Sequence, residues 1–413
     1  MLVSSKHRLE LNNKQRTLAF KHAGIARHAW NWGVKMCQEA SEKREKLPSA
    51  MTLHKKLVAE VKVENPWYYE VSKCAPQESL RNLDEAWRNY FHNLKNGAIQ
   101  KKKKSYISER KRKGLPINTK KLFDLGKPNF KKKGMRDSFC LNSHAIKISG
   151  NKIKVPIFGW LKISEKYNDS FIIKGVVMSR TANDWFVSFH REVDNLKIEG
   201  IESKPSIGVD LGIKTLAILS DGVEFKNVNA FGINKRKLKL AQRKQSKNFN
   251  KDSKTQSNNY KKAIKKVAKI YQRIANIRKD ATHKLTTYLA KNHSLIGIED
   301  LNVSGMMKNR KLSSAIADGG FYEFRRQLEY KTLWYGSKLV VIDRFFPSSK
   351  TCCCCGNIKE KLKLSERIYD CEACQLSLDR DLNAAINIQN YAVSYTVNVC
   401  GELQKQSIST ETQ

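Results

Sequence analysis

No stretch of this 413-residue chain is apolar over anything near the length needed to span a bilayer. Its opening, MLVSSKHRLELNN, has no apolar h-region of the kind a secretory signal carries. We therefore expect a soluble intracellular protein. Acidic residues are scarce, 39 Asp and Glu against 78 Lys and Arg, for a formal net charge of +39. An excess of that size repels itself unless a polyanion normally covers it. A membrane surface recruits one short basic patch, whereas here the charge runs through most of the chain and is densest in two blocks. Residues 101–133 hold 14 basic against 2 acidic residues, and residues 231–284 hold 18 against 2. A single lysine-rich helix face in water does not account for two such blocks, so nucleic acid, and much of it, is the expected partner. There is no internal repeat. No Tyr or Ser nucleophile stands beside a His pair, which argues against a DNA-strand transferase.

Cysteine is present in an unusual pattern. Cys37, Cys74, Cys140 and Cys400 are scattered and read as reduced structural residues. The run PSSKTCCCCGN (347–357) has four adjacent cysteines, and neighbouring side chains diverge too much to share one ion. Pairing Cys352 with Cys355, and Cys371 with Cys374 in YDCEACQLSLDRD, gives C-x2-C-x15-C-x2-C, the spacing of a zinc ribbon. Each C-x-x-C turn converges two thiolates on one ion, and Gly356 suits a turn with φ > 0. Cys353 and Cys354 are then passengers at the tip. The alternatives are a disulfide pair, which reducing compartments disfavour, or reactive free thiols, against which the specific spacing argues. A closed site of four thiolates holds structure and does no chemistry, so any catalysis lies elsewhere.

The pattern along the chain is modular. Residues 2–10 alternate as a short strand, and from Lys14 to about Asn96 apolar residues recur at helical steps. Trp30, Trp32, Trp87, Tyr90 and Phe91 fit either a helical core or base stacking. Residues 101–134, punctuated by Gly and Pro, read as a loop, and short alternating segments then form a β-rich module ending near Asn195. From Pro205 strands come first (SIGVDLGI, TLAILSDG), then strands and helices alternate. That order argues an α/β fold around a mixed sheet. A long basic helix is expected over about 235–292, interrupted near SKNFNKDSKTQSNN. Its apolar stripe is Ile264, Val267, Tyr271, Ile274 and Ile277, with lysines and arginines opposite for a phosphate backbone. SLIGIEDL is a buried strand, a helix follows over about 313–336, then the strand SKLVVIDRF, and DLNAAINIQNYAV is a last helix.

In so basic a chain, a carboxylate set in an apolar strand needs a reason. Asp210 lies mid-strand in IGVDLGI, Glu299 ends SLIGIE, and Asp381 opens the final helix. Singly each has a plain reading: a turn residue, a solvated side chain, a helix-dipole partner. Asp379 fits a helix N-cap better than catalysis, and Asp300 a loop start. Together the three acids can converge across a sheet and bind divalent cations, since hard Mg2+ or Mn2+ prefers carboxylate oxygens. A pair of such ions cleaves phosphodiesters.

The segments IGVDLGIKTLAILSDG, IGIEDLNVSGMMKN and FFPSSKTCCCCGN…CEACQLSLDRDLNAAINI resemble the three split RuvC motifs and zinc ribbon of the TnpB (OrfB) family of insertion-sequence proteins, relatives of type V CRISPR effectors. More weakly, HRLELNNKQRTLAFKHAGIARHAWNWGV and GKPNFKKKGMRDSF resemble the family's N-terminal opening and mid-chain basic motif. The resemblance implies an α/β fold with β-barrel and helical modules and a split RuvC (RNase H-like) nuclease domain carrying an inserted zinc ribbon. It implies a wedge-like barrel from residues 1–10 and 115–200, a helical recognition module over 11–114, and a nuclease domain over 203–347 and 376–400. The ribbon would span 348–375, and the polar residues 401–413 read as a disordered tail. By resemblance Asp210, Glu299 and Asp381 are the catalytic acids holding Mg2+ or Mn2+, and Cys352, Cys355, Cys371 and Cys374 are the structural zinc ligands. The implied partners are a guide RNA and target double-stranded DNA, with no membrane, in a prokaryotic cytoplasm on nucleoid DNA. The implied activity is RNA-guided, metal-dependent DNA cleavage. A guide-directed repressor that does not cut, and a guide-free RuvC-like structure-selective nuclease, are the alternatives. The segment MMKNRKLSSAIADGGF fits either a lid near the cleft or an ordinary strand–helix loop.

Overall fold

The computed structural model describes residues 2–134, 136–141, 146–167, 173–193, 197–253, 255–363 and 365–410. The chain divides into two units, Met1–Val193 and Asp194–Gln413. Among the described residues no helix is long and apolar enough to cross a membrane.

The first unit opens with strand β1 (Leu2–Glu10) and continues into helix α1 (Asn13–Glu42). Asn12 starts α1 through a reciprocal cap, its side chain accepting from Gln15 N while Gln15 caps the Asn12 backbone. Helices α2 (Ala50–Lys56) and α3 (Lys62–Glu64), joined by a π-helical turn, lead to α4 (Cys74–Lys95). Trp30, Trp87 and Tyr90 are buried in the helical core with Trp32 packed against it, while Phe91 is 43% exposed. The expected loop at 101–134 is instead partly helical, as α5 (Ala98–Arg112) and α6 (Thr119–Phe123). Lysine and arginine are good helix formers, and the breakers Gly97 and Gly114 sit outside α5 rather than within it.

Strands β2 (Ser138–Leu141), β3 (Lys147–Val155), β4 (Gly159–Tyr167), β5 (Ile173–Thr181) and β6 (Asp184–Glu192) join β1 in a sheet of order β2-β5-β6-β1-β4-β3. The expected barrel is therefore corrected to a half-barrel: among the described residues β2 and β3 remain edges and the sheet stays open. Alternation puts Trp185, Val187 and Phe189 of β6 into a core shared with Ala19, Ala23 and Ala26 of α1. The expected end of this module at Asn195 lies outside the described residues.

In the second unit β7 (Ile207–Asp210), β8 (Thr215–Leu219) and β9 (Glu224–Lys226) form an antiparallel run. On the other side of β7, β10 (Leu295–Glu299) and β11 (Lys338–Ile342) add in parallel, giving the order β11-β10-β7-β8-β9. The basic helix is two helices, α7 (Ala230–Lys247) and α8 (Asn258–Asn292, capped by Ser257), broken where interruption was expected. Val267 and Ile274 of its stripe are buried and Ile277 is half-buried, but Ile264 and Tyr271 are exposed. After the short α9 (Val303–Met306), the expected helix over 313–336 is split into α10 (Ser313–Gly319) and α11 (Phe321–Tyr335) at Gly320, whose φ of 67° suits glycine.

Odd and even positions of the two central strands serve different layers. Ile207, Val209, Ile296 and Ile298 join Leu285 and Leu289 of α8 and Phe321, Phe324 and Leu328 of α11 in one core. Gly208 and Gly297 face the last helix, α12 (Arg380–Thr410). A Cβ on Gly208 would stand 2.0 Å from Ala385 O, and one on Gly297 would stand 2.9 Å from Ile388 O. Only glycine lets the helix backbone lie this close to the strands. A hairpin of β12 (Ile368–Asp370) and β13 (Ser377–Asp379) precedes α12. α12 runs on to Thr410, over most of the segment 401–413 expected as a tail. Residues 411–413 lie outside the described residues.

Candidate carboxylate centre and cysteine cluster

The period of two that turns Gly208 and Gly297 toward α12 turns Asp210 and Glu299 the same way, two residues further along parallel neighbours. The register pairs Gly297 with Gly208 and Ile298 with Val209, so the next step along brings Glu299 beside Asp210. Asp210 is the last residue of its strand rather than mid-strand, as the sequence had suggested. Asp381 stands in the first turn of α12, the helix lying on that face. Asp379 Oδ1 accepts from the backbone N–H groups of Asp381 and Leu382, at 2.9 and 3.0 Å, and so caps α12 as its sequence position implied.

All three acids line one cleft of about 750 Å³, with Lys214, Lys350, Arg367 and Arg380 around them. The Asp210 carboxyl is pushed up to about 7, first by burial and then by the negative charges of Glu299 and Asp381, with Arg380 and a backbone hydrogen bond from Leu211 opposing. Ser348 Oγ donates to Glu299 Oε1 at 2.5 Å. Asp381 pairs with Arg380 at 3.3 Å and with Arg367 at 3.6 Å. The three carboxylates share the cleft without closing on one point. Among the described residues, the group whose donor atoms all lie within 4.8 Å of one another is the four cysteines. Asp300 has a separate role: Arg325 and Arg344 both bond its carboxylate and, against the effect of burial, hold it below the usual range.

Cys352, Cys355, Cys371 and Cys374 form that cluster. The Sγ atoms of Cys352 and Cys374 are 3.6 Å apart and those of Cys355 and Cys371 are 3.5 Å apart. Four thiolates at about 2.3 Å from a tetrahedral zinc would be about 3.8 Å apart, so the cluster fits that ion. The two knuckles are built alike. Cys352 N donates to Asn357 O and Gly356 N to Cys352 O, and Cys371 N donates to Leu376 O and Gln375 N to Cys371 O. The residue four after the first cysteine of each knuckle takes positive φ, 76° at Gly356 as expected and 57° at Gln375. Backbone N–H groups of Cys374 and Ala373, opposed by burial, pull the Cys371 thiol down to about 6. Against backbone N–H donors of their own, hydrogen bonds among the clustered thiols push Cys355 and Cys374 up, so Cys371 ionises before either. Cys353 and Cys354 stand outside the cluster.

Sequence reasoning missed Ser348, the paired arginines of Asp381, and Asn383 and Asn387 of α12. Asn383 Oδ1 accepts from Cys353 N at 3.0 Å, and its Nδ2 donates to Thr351 O at 2.7 Å. Asn387 Nδ2 donates to Ser348 O at 2.8 Å and Thr351 O at 2.6 Å. The available signal was an amide recurring at i and i+4 on an otherwise apolar helix face.

Comparison with known families gives three matches: a helix-turn-helix domain of the OrfB IS605 type over residues 1–46, the OrfB IS605 family, described as "Probable transposase", over 192–310, and the Cas12f1-like TNB domain over 321–388. The chain is 30% identical over 357 residues to "Putative RNA-guided DNA endonuclease InsQ" of Escherichia coli (strain K12), covering 82% of this chain and 79% of that one. It is 34% identical over 334 residues to a protein of the same description from Streptomyces pristinaespiralis, covering 81% and 74%. Among solved structures, the Cas12f1 protein of a Cas12f1–sgRNA–target DNA complex aligns with a TM-score of 0.47 and 13% identity, over 94% of this chain and 98% of that one.

Proposed function

The chain belongs to the TnpB (OrfB) family of IS605-type insertion-sequence proteins, and from that premise we propose that it is an RNA-guided DNA endonuclease whose cutting centre is Asp210, Glu299 and Asp381. The observation that carries the assignment is the convergence of acids from two parallel strands and a crossing helix on one cleft rimmed by lysine and arginine. An isolated carboxylate cluster repels phosphate, and an Asp210 whose ionisation is resisted by burial and then by its acidic neighbours is one that a cation would relieve. Carboxylate oxygens are the donors that Mg2+ or Mn2+ takes, and such ions supply an activated water and a stabilised leaving oxygen for phosphodiester hydrolysis.

The remaining steps fall to residues of the chain. Ser348 fixes one oxygen of Glu299, and Arg367 and Arg380 restrain Asp381. Lys214 and Lys350, at the margin of the cleft, attract the backbone of the strand to be cut. Three antiparallel strands continued by two parallel ones, with acids at strand ends and on a helix across them, support the RuvC-type reading. Cys352, Cys355, Cys371 and Cys374 hold a structural zinc, a closed site with no position for substrate. Sequence is read by pairing between a guide RNA and one DNA strand, which suits a protein whose charge is spread rather than aimed at base edges.

The test is to purify the protein from cells carrying its own flanking DNA, sequence the RNA that comes with it, and supply matched DNA with Mg2+. A discrete copurifying RNA and cutting of DNA matched to it are expected. Asp210→Ala should abolish cutting while RNA and DNA binding persist. Cutting that needs no RNA would favour a guide-free nuclease, and an Asp210→Ala protein that still cuts would remove Asp210 from the centre.

A further inference from the structure

Between the carboxylate cleft and the cysteine cluster runs a line of buried polar side chains. Ser348 is 4% exposed, and Asn383 and Asn387 are 0% and 5% exposed. The two asparagines share α12 with Ala384, Ala385 and Ile388, all buried. An apolar residue at either place would avoid the cost of burying an amide, about 1–3 kcal/mol when its bonds are not replaced. What the amides do instead is bind main-chain groups of an irregular segment. Asn387 holds Ser348 O and Thr351 O, and Asn383 holds Thr351 O and Cys353 N. The side chain of the residue so held, Ser348, is the one that donates to Glu299.

We propose that Asn387 is a positioning residue for the carboxylate centre: by fixing the Ser348 main chain it aims the Ser348 hydroxyl at Glu299, so that α12, which carries Asp381, also sets the orientation of Glu299. Asn383 extends the same tie to the first cysteine knuckle. The inference rests on the reading of Asp210, Glu299 and Asp381 as the cutting centre. Its physical content is that a carboxylate beside two others turns away from them unless a donor holds it. Groups that hold a metal-binding carboxylate are worth about 10–100-fold in metal affinity when removed.

The experiment uses the full guide-loaded protein and two readouts. One is the Mg2+ concentration for half-maximal DNA cutting. The other needs no DNA: Fe2+ with ascorbate and peroxide cleaves polypeptide beside the ion, and the Fe2+ concentration for half-maximal scission near Asp210 and Glu299 reports occupancy. Ser348→Ala should raise both midpoints about 10-fold, and Ser348→Thr, which keeps the hydroxyl, should restore them. Asn387→Ala should reproduce the Ser348→Ala shift. The double variant should be no worse than either single one, because the two residues act in series. Asn387→Ala with a lower melting temperature but parental midpoints would overturn the proposal, as would shifts that add. Should Asn387→Ala not fold, Ser348→Ala decides alone, and parental midpoints in it reject the tie. A parent protein that shows no scission near Asp210, with Asp210→Ala still cutting DNA, would instead bring down the cutting centre and this inference with it.

Discussion

Asp210 shows how much one residue can reveal. Its carboxyl, ordinarily near 3.8, is pushed up to about 7 by burial and by Glu299 and Asp381. A raised pKa means that the folded protein keeps a proton the unfolded chain has already released between those values. Stability is therefore lost as pH rises from about 4 to about 7 and stays level above. Asp210→Asn removes that loss. In magnesium-free buffer the melting temperature of the variant relative to the parent should rise across this window, reaching an advantage of at least about 2 °C at pH 8, the shift that about 1 kcal/mol gives in a domain of this size. Saturating Mg2+ should reverse the order, because the neutral amide cannot offer a charged oxygen. A difference that stays flat with pH would mean that Asp210 titrates as an ordinary carboxylate. Asp210, Glu299 and the cysteine spacing were legible beforehand because each breaks a pattern: an acid in an apolar strand, a thiol pair at fixed interval. Ser348 breaks none, and Asn387 only the faint one of an amide recurring on an apolar helix face, since their partners are main-chain carbonyls and a carboxylate 49 residues away in sequence.

At the scale of elements, the centre depends on how closely α12 approaches the sheet. Gly208 and Gly297 set that distance, and Asp381 can share a cleft with strand residues only because the helix lies directly on β7 and β10. Gly208→Ala would place a methyl 2.0 Å from Ala385 O and 2.5 Å from Gln389 N, both backbone atoms that cannot rotate aside. Overpacking of this kind costs about 1–3 kcal/mol or more. Denaturant unfolding should show a loss at the upper end of that range or beyond, and cutting should fall with it because Asp381 moves. Stability within about 0.5 kcal/mol of the parent would show that α12 can shift freely. Element type was readable wherever hydrophobic period was strong, as in β10 and α8. It failed at α5, where lysine runs hid a helix between two glycines, and at the half-barrel, because whether an edge strand finds a partner depends on distant residues.

For the whole molecule, the governing quantity is a net charge of +39. The structure shows how such charge is made compatible with folding. Along α8, Lys261, Lys262, Lys265, Lys266 and Lys269 are all exposed, while Ala263 and Val267 between them are buried. The apolar stripe pays for packing and leaves the cationic face to a polyanion. Each phosphate neutralised releases counterions, so nucleic-acid affinity should fall steeply with salt. A protein making 6–10 such contacts loses about 10³–10⁵ in affinity between 50 and 200 mM salt. Changing the five α8 lysines to glutamine should leave the melting temperature within about 2 °C of the parent, since no buried group is touched. The slope of log affinity for guide RNA against log salt should become shallower, by up to about 0.7–0.9 for each lysine that meets a phosphate. An unchanged slope would mean that this face looks into solvent and that the polyanion lies elsewhere, with residues 101–133 as the next block to neutralise.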